Sequence, residues 1–262
     1  MDRLILGQYI PGKSLIHRLD PRTKLLSSIW FIMLIFLASN AWSYALLAAF
    51  VLTAAYISEI PISYYINGLK PLTFLILITV SLQLFFSQGD NILIEIGWLK
   101  ITLEGLINAL KIIVRFILII FMSTILTLTT TPLEIADGIE SLLTPLKRLK
   151  VPVQEIALVL SIALRFVPTL MEETEKIMNA QKSRGVEFNV GSLIERMKKI
   201  VPLLIPLFIS SIDRADELAT AMTSRGYQGG EHRTKLRALN WNQRDYLIFI
   251  LFISLTVVLI LL

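Results

Sequence analysis

The sequence predicts an all-α membrane protein with about five transmembrane helices and three long amphipathic helices on the cytoplasmic side. The 262 residues are 55% hydrophobic with a mean hydropathy of +0.69, and only 17% are charged. This composition provides too little polar surface for a soluble globule of this size. Charged residues are concentrated in residues 1–24 and 131–244, whereas residues 25–130 contain few of them. This contrast separates a membrane region from a helical region outside it.

Residues 1–24 are polar and basic, and we interpret them as a cytoplasmic N-terminal segment. Residues Gly7 to Ser14 satisfy the phosphate-binding pattern G-x-x-x-x-G-K-[ST]. That loop binds nucleotides only between a buried strand and a helix of an α/β domain. Here the apolar stretch before it is very short, and Pro21 interrupts the helix that would follow. The pattern is therefore interpreted as a chance match rather than a nucleotide site.

The first two spans are predicted to form a hairpin. Residues 25–58 contain no charge over 34 residues, about 51 Å if helical, whereas a span needs roughly 20 residues. Ser39 and Asn40 in the middle predict a tight turn between two short spans. Residues 59–70 are predicted to be a loop, and residues 72–87 the third span.

Residues 88–103 differ in period, because apolar and polar residues alternate around a glycine, which predicts a small hairpin outside the membrane. Thr102 is a candidate cap for the next helix, which is the fourth span, about residues 103–130. Lys111 and Arg115 share one face of this helix. Lys111 can extend to the interface, but Arg115 lies deeper, where charge is costly and usually functional. The alternative for Arg115 is a buried pairing inside the bundle.

Two long helices each have an apolar stripe and a charged opposite face. They end in similar six-residue motifs, Ala180–Gly185 and Ala221–Gly226, which are 41 residues apart. Four of the six letters agree: Ala, Ser, Arg and Gly. Glycine just past a helix closes it, and a cation there complements the helix dipole. A cap does not require arginine both times, and arginine offers a rigid donor fork for carboxylates or carbonyls. The repeat therefore predicts two helix tips that bind two sites on a partner.

Lysine and arginine counts predict the topology. Residues 1–24 hold five of them and residues 131–244 hold sixteen, whereas the loops between spans hold two. The positive-inside rule puts both basic regions in the cytoplasm, and a fifth span then leaves the C-terminus outside. The predicted domains are a cytoplasmic segment (1–24), a four-span membrane domain (25–130), a cytoplasmic helical domain (131–244) and a last transmembrane helix (245–262).

The chain resembles the transmembrane (T) component of energy-coupling factor transporters, a branch of the ATP-binding-cassette importers, over nearly its whole length. The resemblance rests on these sequence motifs: Gly7-x-Tyr9-x-Pro11-Gly12-x-Ser14, His17-Arg18-Leu19-Asp20-Pro21-Arg22-x-Lys24, Thr131-Pro132-Leu133-Glu134, Arg165-Phe166-Val167-Pro168, Arg214-Ala215-x-Glu217-Leu218-Ala219-x-Ala221-Met222, and the two x-Arg-Gly endings. The pair of endings is its most specific part. The same resemblance accounts for the apparent phosphate loop, which is part of this family's N-terminal motif, here residues 7–24.

The resemblance implies three coupling helices at about residues 132–149, 153–184 and 192–225. It implies that the two tips dock into grooves on two ABC-type ATPase subunits, identical or different; the docking residues are Ser183, Arg184, Gly185, Ser224, Arg225 and Gly226. ATP and magnesium then bind to those partners, and no cofactor binds to this chain. A small membrane-embedded substrate-binding (S) component carries a vitamin or metal ion. The N-terminal motif is similar to that of the shared, vitamin-serving type of T component. The resemblance implies a bacterial or archaeal cell membrane and no nucleic-acid partner.

Two other classes of function compete with this interpretation. A membrane scaffold or assembly factor could recruit soluble partners without transport, and loss of ATP-dependent uptake in its absence would discriminate against it. Intramembrane enzymes carry acidic clusters, histidine pairs or Ser/Lys dyads in or near their spans. Away from their ends, the predicted spans carry only Lys111 and Arg115 as charges, which disfavours an enzyme.

Overall fold

The structure is a computed structural model that describes residues 9–87, 91–96, 99–149, 151–188, 190–229 and 239–262. Its elements are α1 (Pro21–Leu37), α2 (Ala41–Ile57), α3 (Ile62–Leu69), α4 (Thr73–Phe86), β1 (Ile92–Ile96), β2 (Leu99–Thr102), α5 (Leu103–Thr129), α6 (Pro132–Leu143), α7 (Val153–Ser183), α8 (Leu193–Ser224) and α9 (Gln243–Leu261). Short 3-10 helices cover Lys70–Leu72 and Thr144–Leu149. The all-α membrane class is confirmed, with one two-stranded hairpin among the described residues.

The chain divides into two compact units. The first contains residues 1–141 and 238–262, and the second contains residues 142–237. In the first unit α5 is central, because it packs against α1, α2, α3 and α4. Its core includes the fully buried side chains of Phe31, Leu47, Val51 and Phe252.

The predicted turn between two short helices is confirmed, whereas their crossing of the membrane stays a prediction. Helix α1 ends at Leu37 and α2 begins at Ala41, so the turn falls at Ser39 and Asn40. The Asn40 side-chain amide donates a hydrogen bond to the backbone oxygen of Leu262, over 3.0 Å. The turn of the hairpin is thereby joined to the last residue of the chain.

The prediction of a loop over residues 59–70 was wrong, because most of it is α3. Tyr65 anchors this helix: its side chain is 1% exposed, its ring centroid lies 4.9 Å from that of Phe121, and its hydroxyl is 2.9 Å from Ser58 Oγ. Pro61 precedes the helix and Pro71 lies in the 3-10 turn after it. Both are positions where a missing backbone N–H costs little, so these prolines did not indicate a loop.

The small hairpin is confirmed where it is described. Strands β1 and β2 pair antiparallel, with Glu95 opposite Lys100; Gly97 and Trp98, at the turn, lie outside the described residues. Thr102 caps α5 as predicted, because its hydroxyl accepts a hydrogen bond from the Gly105 N–H over 3.1 Å. The start of α6 is also confirmed: the Thr131 N–H donates to Glu134 Oε2 over 2.9 Å, and the Glu134 N–H donates to Thr131 Oγ1 over 3.2 Å.

Within the described part of the chain, four helical segments are long and apolar enough to cross a membrane by length and composition: Ile62–Phe86, Leu103–Thr129, Val153–Ser183 and Gln243–Leu261. The Ala41–Ile57 helix is apolar but shorter. The third of these segments is α7, which the sequence analysis assigns to the cytoplasmic region. Its apolar first half precedes Pro168, whereas the charged run Glu172–Lys176 lies in its second half.

Candidate partner-docking site

The C-terminus of α7 is closed by a Schellman motif. The Gly185 N–H donates to the Lys182 carbonyl over 2.9 Å, and the Val186 N–H donates to the Gln181 carbonyl over 3.0 Å. Gly185 adopts a φ of +88°, in the left-handed region that favours glycine. A side chain there would meet no neighbouring atom within 4 Å. Backbone conformation, rather than packing, therefore requires the glycine.

The C-terminus of α8 repeats this geometry. The Gly226 N–H donates to the Thr223 carbonyl over 2.9 Å, and the Tyr227 N–H donates to the Met222 carbonyl over 3.0 Å. Gly226 has a φ of +76°, and it too has open space around the missing side chain. The C-cap residue before each glycine is an arginine, and the two arginines have almost the same backbone angles, φ −86° and ψ 8° at Arg184 and φ −88° and ψ 6° at Arg225. The sequence repeat is thus a structural repeat.

The serine and the arginine of each ending have different surroundings. The Ser183 hydroxyl donates to the Asn179 carbonyl over 3.1 Å, and the Ser224 hydroxyl donates to the Thr220 carbonyl over 2.8 Å. Both hydroxyls are therefore engaged by their own helix. Arg184 and Arg225 are exposed, and within the described ranges neither side chain has a hydrogen bond or ion pair. Each helix end thus presents one guanidinium with all its donors available.

The two long helices are joined at equivalent positions of the repeat. Arg214 Nη2 lies 2.7 Å from Glu173 Oε2, and these residues are 41 apart. Ser210 Oγ donates to the other carboxylate oxygen of Glu173 over 2.5 Å. Glu173 lies 11 residues before Arg184, and Arg214 lies 11 residues before Arg225, about 16 Å along each helix. The contact between the helices is therefore equidistant along the chain from the two tips.

The sequence analysis missed this ion pair, because it assigned both residues to the charged outer faces of their helices. The spacing of the repeat was the available signal, since Glu173 and Arg214 differ by the same 41 residues as the two glycines.

Large apolar side chains on both long helices are exposed. Examples are Val159 (66% exposed) on α7 and Phe208 (68% exposed) on α8; others are Ile156, Val167, Ile194, Met197, Leu204, Ile205 and Ile209. Soluble monomers rarely expose contiguous apolar surface on this scale, and such surfaces mark protein or membrane contacts. The second unit therefore combines an apolar surface with the arginines Arg184 and Arg225 at its two helix ends.

Arg115, the charge in the fourth span, is held by neutral groups of the first unit. Its Nη2 donates to the Tyr44 hydroxyl over 2.9 Å, and its guanidinium carbon lies 5.0 Å from the Phe36 ring centroid. Its Nε atom is buried without a hydrogen-bond partner within the described part of the chain. Part of the arginine is therefore paired inside the bundle, as the alternative interpretation held, but no carboxylate of the described residues forms an ion pair with it.

The resemblance to a phosphate loop does not extend to the structure of residues 9–20. Gly7 and Gln8 lie outside the described residues. The remainder of the pattern folds around the imidazole of His17, whose Nδ1 lies 2.6 Å from Ser14 Oγ and whose Nε2 lies 3.0 Å from the Ile10 carbonyl. The ring also fills the space beside Gly12, where an added Cβ would meet it at 2.6 Å. In a phosphate-binding loop, the serine and the glycine would lie beside the phosphate. Here both lie beside the histidine ring.

The charged residues after His17 fasten the first helix to distant parts of the first unit. Asp20 accepts two hydrogen bonds from the Arg22 guanidinium, and its backbone N–H donates to Asp245 Oδ1 over 3.0 Å. The guanidinium of Arg22 lies 5.3 Å from the Trp241 ring centroid. This part of the N-terminal motif therefore joins α1 to the start of α9.

Lys24, the last residue of the segment before the predicted span, is buried at 7% exposure. Its ammonium donates to the Thr129 carbonyl over 2.8 Å and to the His17 carbonyl over 3.2 Å. Burial lowers the pKa of Lys24 from 10.5 to about 8, against the opposing effect of the nearby carboxylates of Glu134, Asp20 and Asp245. The lysine therefore links α1 to the end of α5 at an energetic cost to its charged form.

The comparisons with known proteins agree with one another. A family model described as CbiQ, a cobalt transport protein, matches residues 12–236. A protein of Lactococcus lactis named energy-coupling factor transporter transmembrane protein EcfT is 54% identical over 261 residues, covering 100% of this chain and 98% of that protein. Proteins of the same name from Streptococcus equi and Bacillus subtilis are 56% identical over 255 residues and 50% identical over 259 residues. They cover 97% and 99% of this chain, and 95% and 98% of their own lengths.

Proposed function

This chain belongs to the family of energy-coupling factor transporter transmembrane proteins, and from that membership we propose that it is the coupling subunit of an ATP-driven importer. Family membership and the several apolar helices support a multi-pass membrane component of a transporter, which fits a role other than catalysis. In this proposal ATP and magnesium bind to two ABC-type ATPase subunits. A separate S component binds the substrate in the membrane.

The observation that carries the proposal is the repeated helix ending. Arg184 and Arg225 stand at helix ends of the same geometry and have no partner within the described residues. Ser183 and Ser224 bond to their own helices, so we propose that they shape the tips rather than contact the ATPases. Gly185 and Gly226 close the helices. Each arginine then enters a groove on one ATPase and donates to carboxylate or carbonyl oxygens there.

Transmission of movement follows from the ion pair between the helices. Because Glu173 and Arg214 join α7 to α8, a displacement of one tip is transferred to the other helix through a fixed point. The exposed apolar surfaces of both helices are proposed to contact the S component and the membrane. Arg115 is proposed as a second functional position, because it lies in a helix apolar enough to cross the membrane and its Nε atom is buried without a hydrogen-bond partner among the described residues.

The substrate is proposed to be a vitamin, which the S component carries. The support is the N-terminal motif, which is similar to that of the shared, vitamin-serving type of T component. The names of the matched relatives mention an energy-coupling factor transporter without a substrate. The family description mentions cobalt, so uptake of cobalt and of vitamins should be measured side by side.

The experiment that tests the proposal removes the two guanidinium groups. We compare Arg184→Ala, Arg225→Ala and the double variant in vesicles that contain the ATPases and an S component. Loss of one partner of a buried, hydrogen-bonded charge pair typically costs about 2–5 kcal/mol. Each single variant should keep its ATPases, because the other tip holds the complex together through effective concentration. The double variant should lose the ATPases on purification, or hydrolyse ATP without importing substrate.

The matched control is Arg148→Ala, because Arg148 is also an exposed cation of the second unit and precedes α7. It should retain both ATPases and uptake. A well-expressed double variant with full uptake would show that Arg184 and Arg225 are ordinary helix caps. Unchanged ATP-dependent uptake without this protein would instead favour the scaffold alternative.

A further inference from the structure

An apolar groove with a cavity volume of about 710 Å³ runs between α2 and α9 in the first unit. Its walls include Leu46 and Ile57 from α2 and Leu247 and Val258 from α9. Its inner side is formed where the rings of Phe50 and Phe252 meet edge to face, with centroids 5.1 Å apart. The two helices therefore touch through aromatic rings and leave an open, apolar channel outside them.

Among the described residues that line the groove, Arg244 in the first turn of α9 is the one that carries a charge. Arg244 is exposed and, across the ranges that the structure describes, makes no hydrogen bond or ion pair. Neither Asp245 nor Glu59, two carboxylates of the described chain, is paired with it. Asp245 is fully buried and accepts hydrogen bonds from the backbone N–H groups of Asp20 and Asn242. Glu59 lines a separate cavity that shares only Leu15 and Ile57 with the groove.

The position of Arg244 is that of a membrane interface. Trp241 and Tyr246 lie on either side of it, with ring centroids 5.7 Å apart, and such aromatic residues are enriched where the hydrocarbon meets the headgroups. From Arg244 to Val258 the groove follows α9 for 14 residues, about 21 Å at 1.5 Å per residue. One leaflet contributes about 15 Å of hydrocarbon. The groove is therefore long enough for acyl chains that start at the Arg244 end.

The distribution of charge favours a lipid, because the groove is apolar along its length and has an arginine at one end, as a lipid has apolar chains and a charged headgroup. Its volume of about 710 Å³ falls in the range of small-molecule sites. We propose that this groove binds one anionic phospholipid, with its acyl chains along α2 and α9 and its phosphate accepting hydrogen bonds from Arg244. In the proposed orientation this lipid belongs to the cytoplasmic leaflet, but the binding itself does not depend on that orientation.

The test is native mass spectrometry of the full-length protein, titrated in detergent with dioleoylphosphatidylglycerol or dioleoylphosphatidylcholine. The wild-type protein should retain the anionic lipid in preference to the zwitterionic one. Arg244→Gln should lower binding of phosphatidylglycerol about fivefold, since one cation at the membrane surface attracts anionic lipid by about 1 kcal/mol. Its binding of phosphatidylcholine should not change. Lys70→Gln is the matched control, because Lys70 is exposed, lies outside the groove lining and should leave both lipids unaffected.

A second variant tests the groove rather than the headgroup contact. Ala49 is exposed on α2 and lines the groove, so Ala49→Phe fills the channel without entering the core, and binding of both lipids should fall. Equal retention of phosphatidylglycerol by the wild type and Arg244→Gln would overturn the proposal. Unchanged binding of both lipids to Ala49→Phe would also overturn it. Loss of a membrane protein partner from Ala49→Phe, with lipid binding unchanged, would assign the groove to that partner instead.

Discussion

The glycine, serine and arginine of each helix ending have three different roles. Gly185 and Gly226 adopt positive φ angles that close the helices. Ser183 and Ser224 donate to carbonyls one turn back. Only Arg184 and Arg225 are left with unused donors within the described residues. The sequence indicated the glycines and arginines through known capping preferences. It could not indicate which way the hydroxyls point, because a serine near a helix end can bond to its own helix or to a partner.

Lys24 should make stability depend on pH in the alkaline range. Its pKa is about 8 in the folded protein, below the 10.5 of an ordinary lysine. The unfolded state therefore binds more protons between these values, and the contribution of Lys24 to stability should rise as pH increases from about 8 to about 10.5. Below pH 8 both states are protonated, and this contribution should be constant. The measurement is the thermal midpoint of the purified protein across this pH range.

The control for this prediction is Lys24→Met, which keeps a long apolar side chain and removes the titrating group. It should be less stable than the wild type, because the Thr129 and His17 carbonyls lose their donor. The difference between the two proteins should vary with pH only above about pH 8. A difference that stays constant from pH 7 to pH 10.5 would refute the proposed titration of Lys24.

The ion pair between α7 and α8 is a property of two elements. Glu173 and Arg214 are partly exposed, with side-chain exposures of 20% and 34%, so their coupling energy should be about 1 kcal/mol or less. Glu173→Gln and Arg214→Gln should each lower the thermal midpoint, and the double variant should lose less than the sum of the two. We also expect the single variants to import less substrate per ATP hydrolysed, because the two tips are no longer held by a common point.

The matched control exchanges the two charges, as Glu173→Arg with Arg214→Glu. This variant retains opposite charges at the crossing and should recover part of the lost stability and coupling. Strictly additive effects of the two Gln substitutions, together with no recovery in the exchanged variant, would show that the pair is incidental.

Element boundaries were predictable where local chemistry determines them. Helices α7 and α8 begin and end within a few residues of the predicted positions, because Ser192 and the two glycines are strong end signals. Helix α6 begins after Thr131 as predicted but ends at Leu143, where a 3-10 helix continues to Leu149. Helix α3 was missed for the opposite reason. Its stability depends on Tyr65 packing against Phe121, a contact between residues far apart in sequence, and no local pattern reports it. The same limitation applies to Glu173 and Arg214, and to Tyr44 beneath Arg115.

At the scale of the whole molecule, the orientation in the membrane remains a prediction. The lysine and arginine counts favour residues 1–24 and 131–244 in the cytoplasm with the C-terminus outside, whereas length and composition alone would allow α7 to cross. The chain has no cysteine, so single cysteines can be introduced and labelled from either side. Ser224→Cys should react only from the cytoplasm, and Asp90→Cys only from outside.

Ser183→Cys decides the position of α7. It should react from the cytoplasm, on the same side as Ser224→Cys, because the proposal keeps both tips beside the ATPases. Labelling of Ser183→Cys from outside would show that α7 crosses the membrane and would rule out ATPase docking by Arg184. Labelling of Ser224→Cys and Asp90→Cys from one side would rule out the five-span arrangement.

The contacts of α9 have a consequence for how the protein is made. Asp245 accepts a hydrogen bond from Asp20 across 225 residues of sequence, and Asn40 donates to Leu262 across 222 residues. Neither contact can form until α9 has been synthesised, long after α1 and α2. Helices α1 and α2 are therefore made before Asp20 and the hairpin turn can gain these partners. We expect truncations within α9 to be recognised and degraded by membrane quality control, although the α7 and α8 tips are already synthesised.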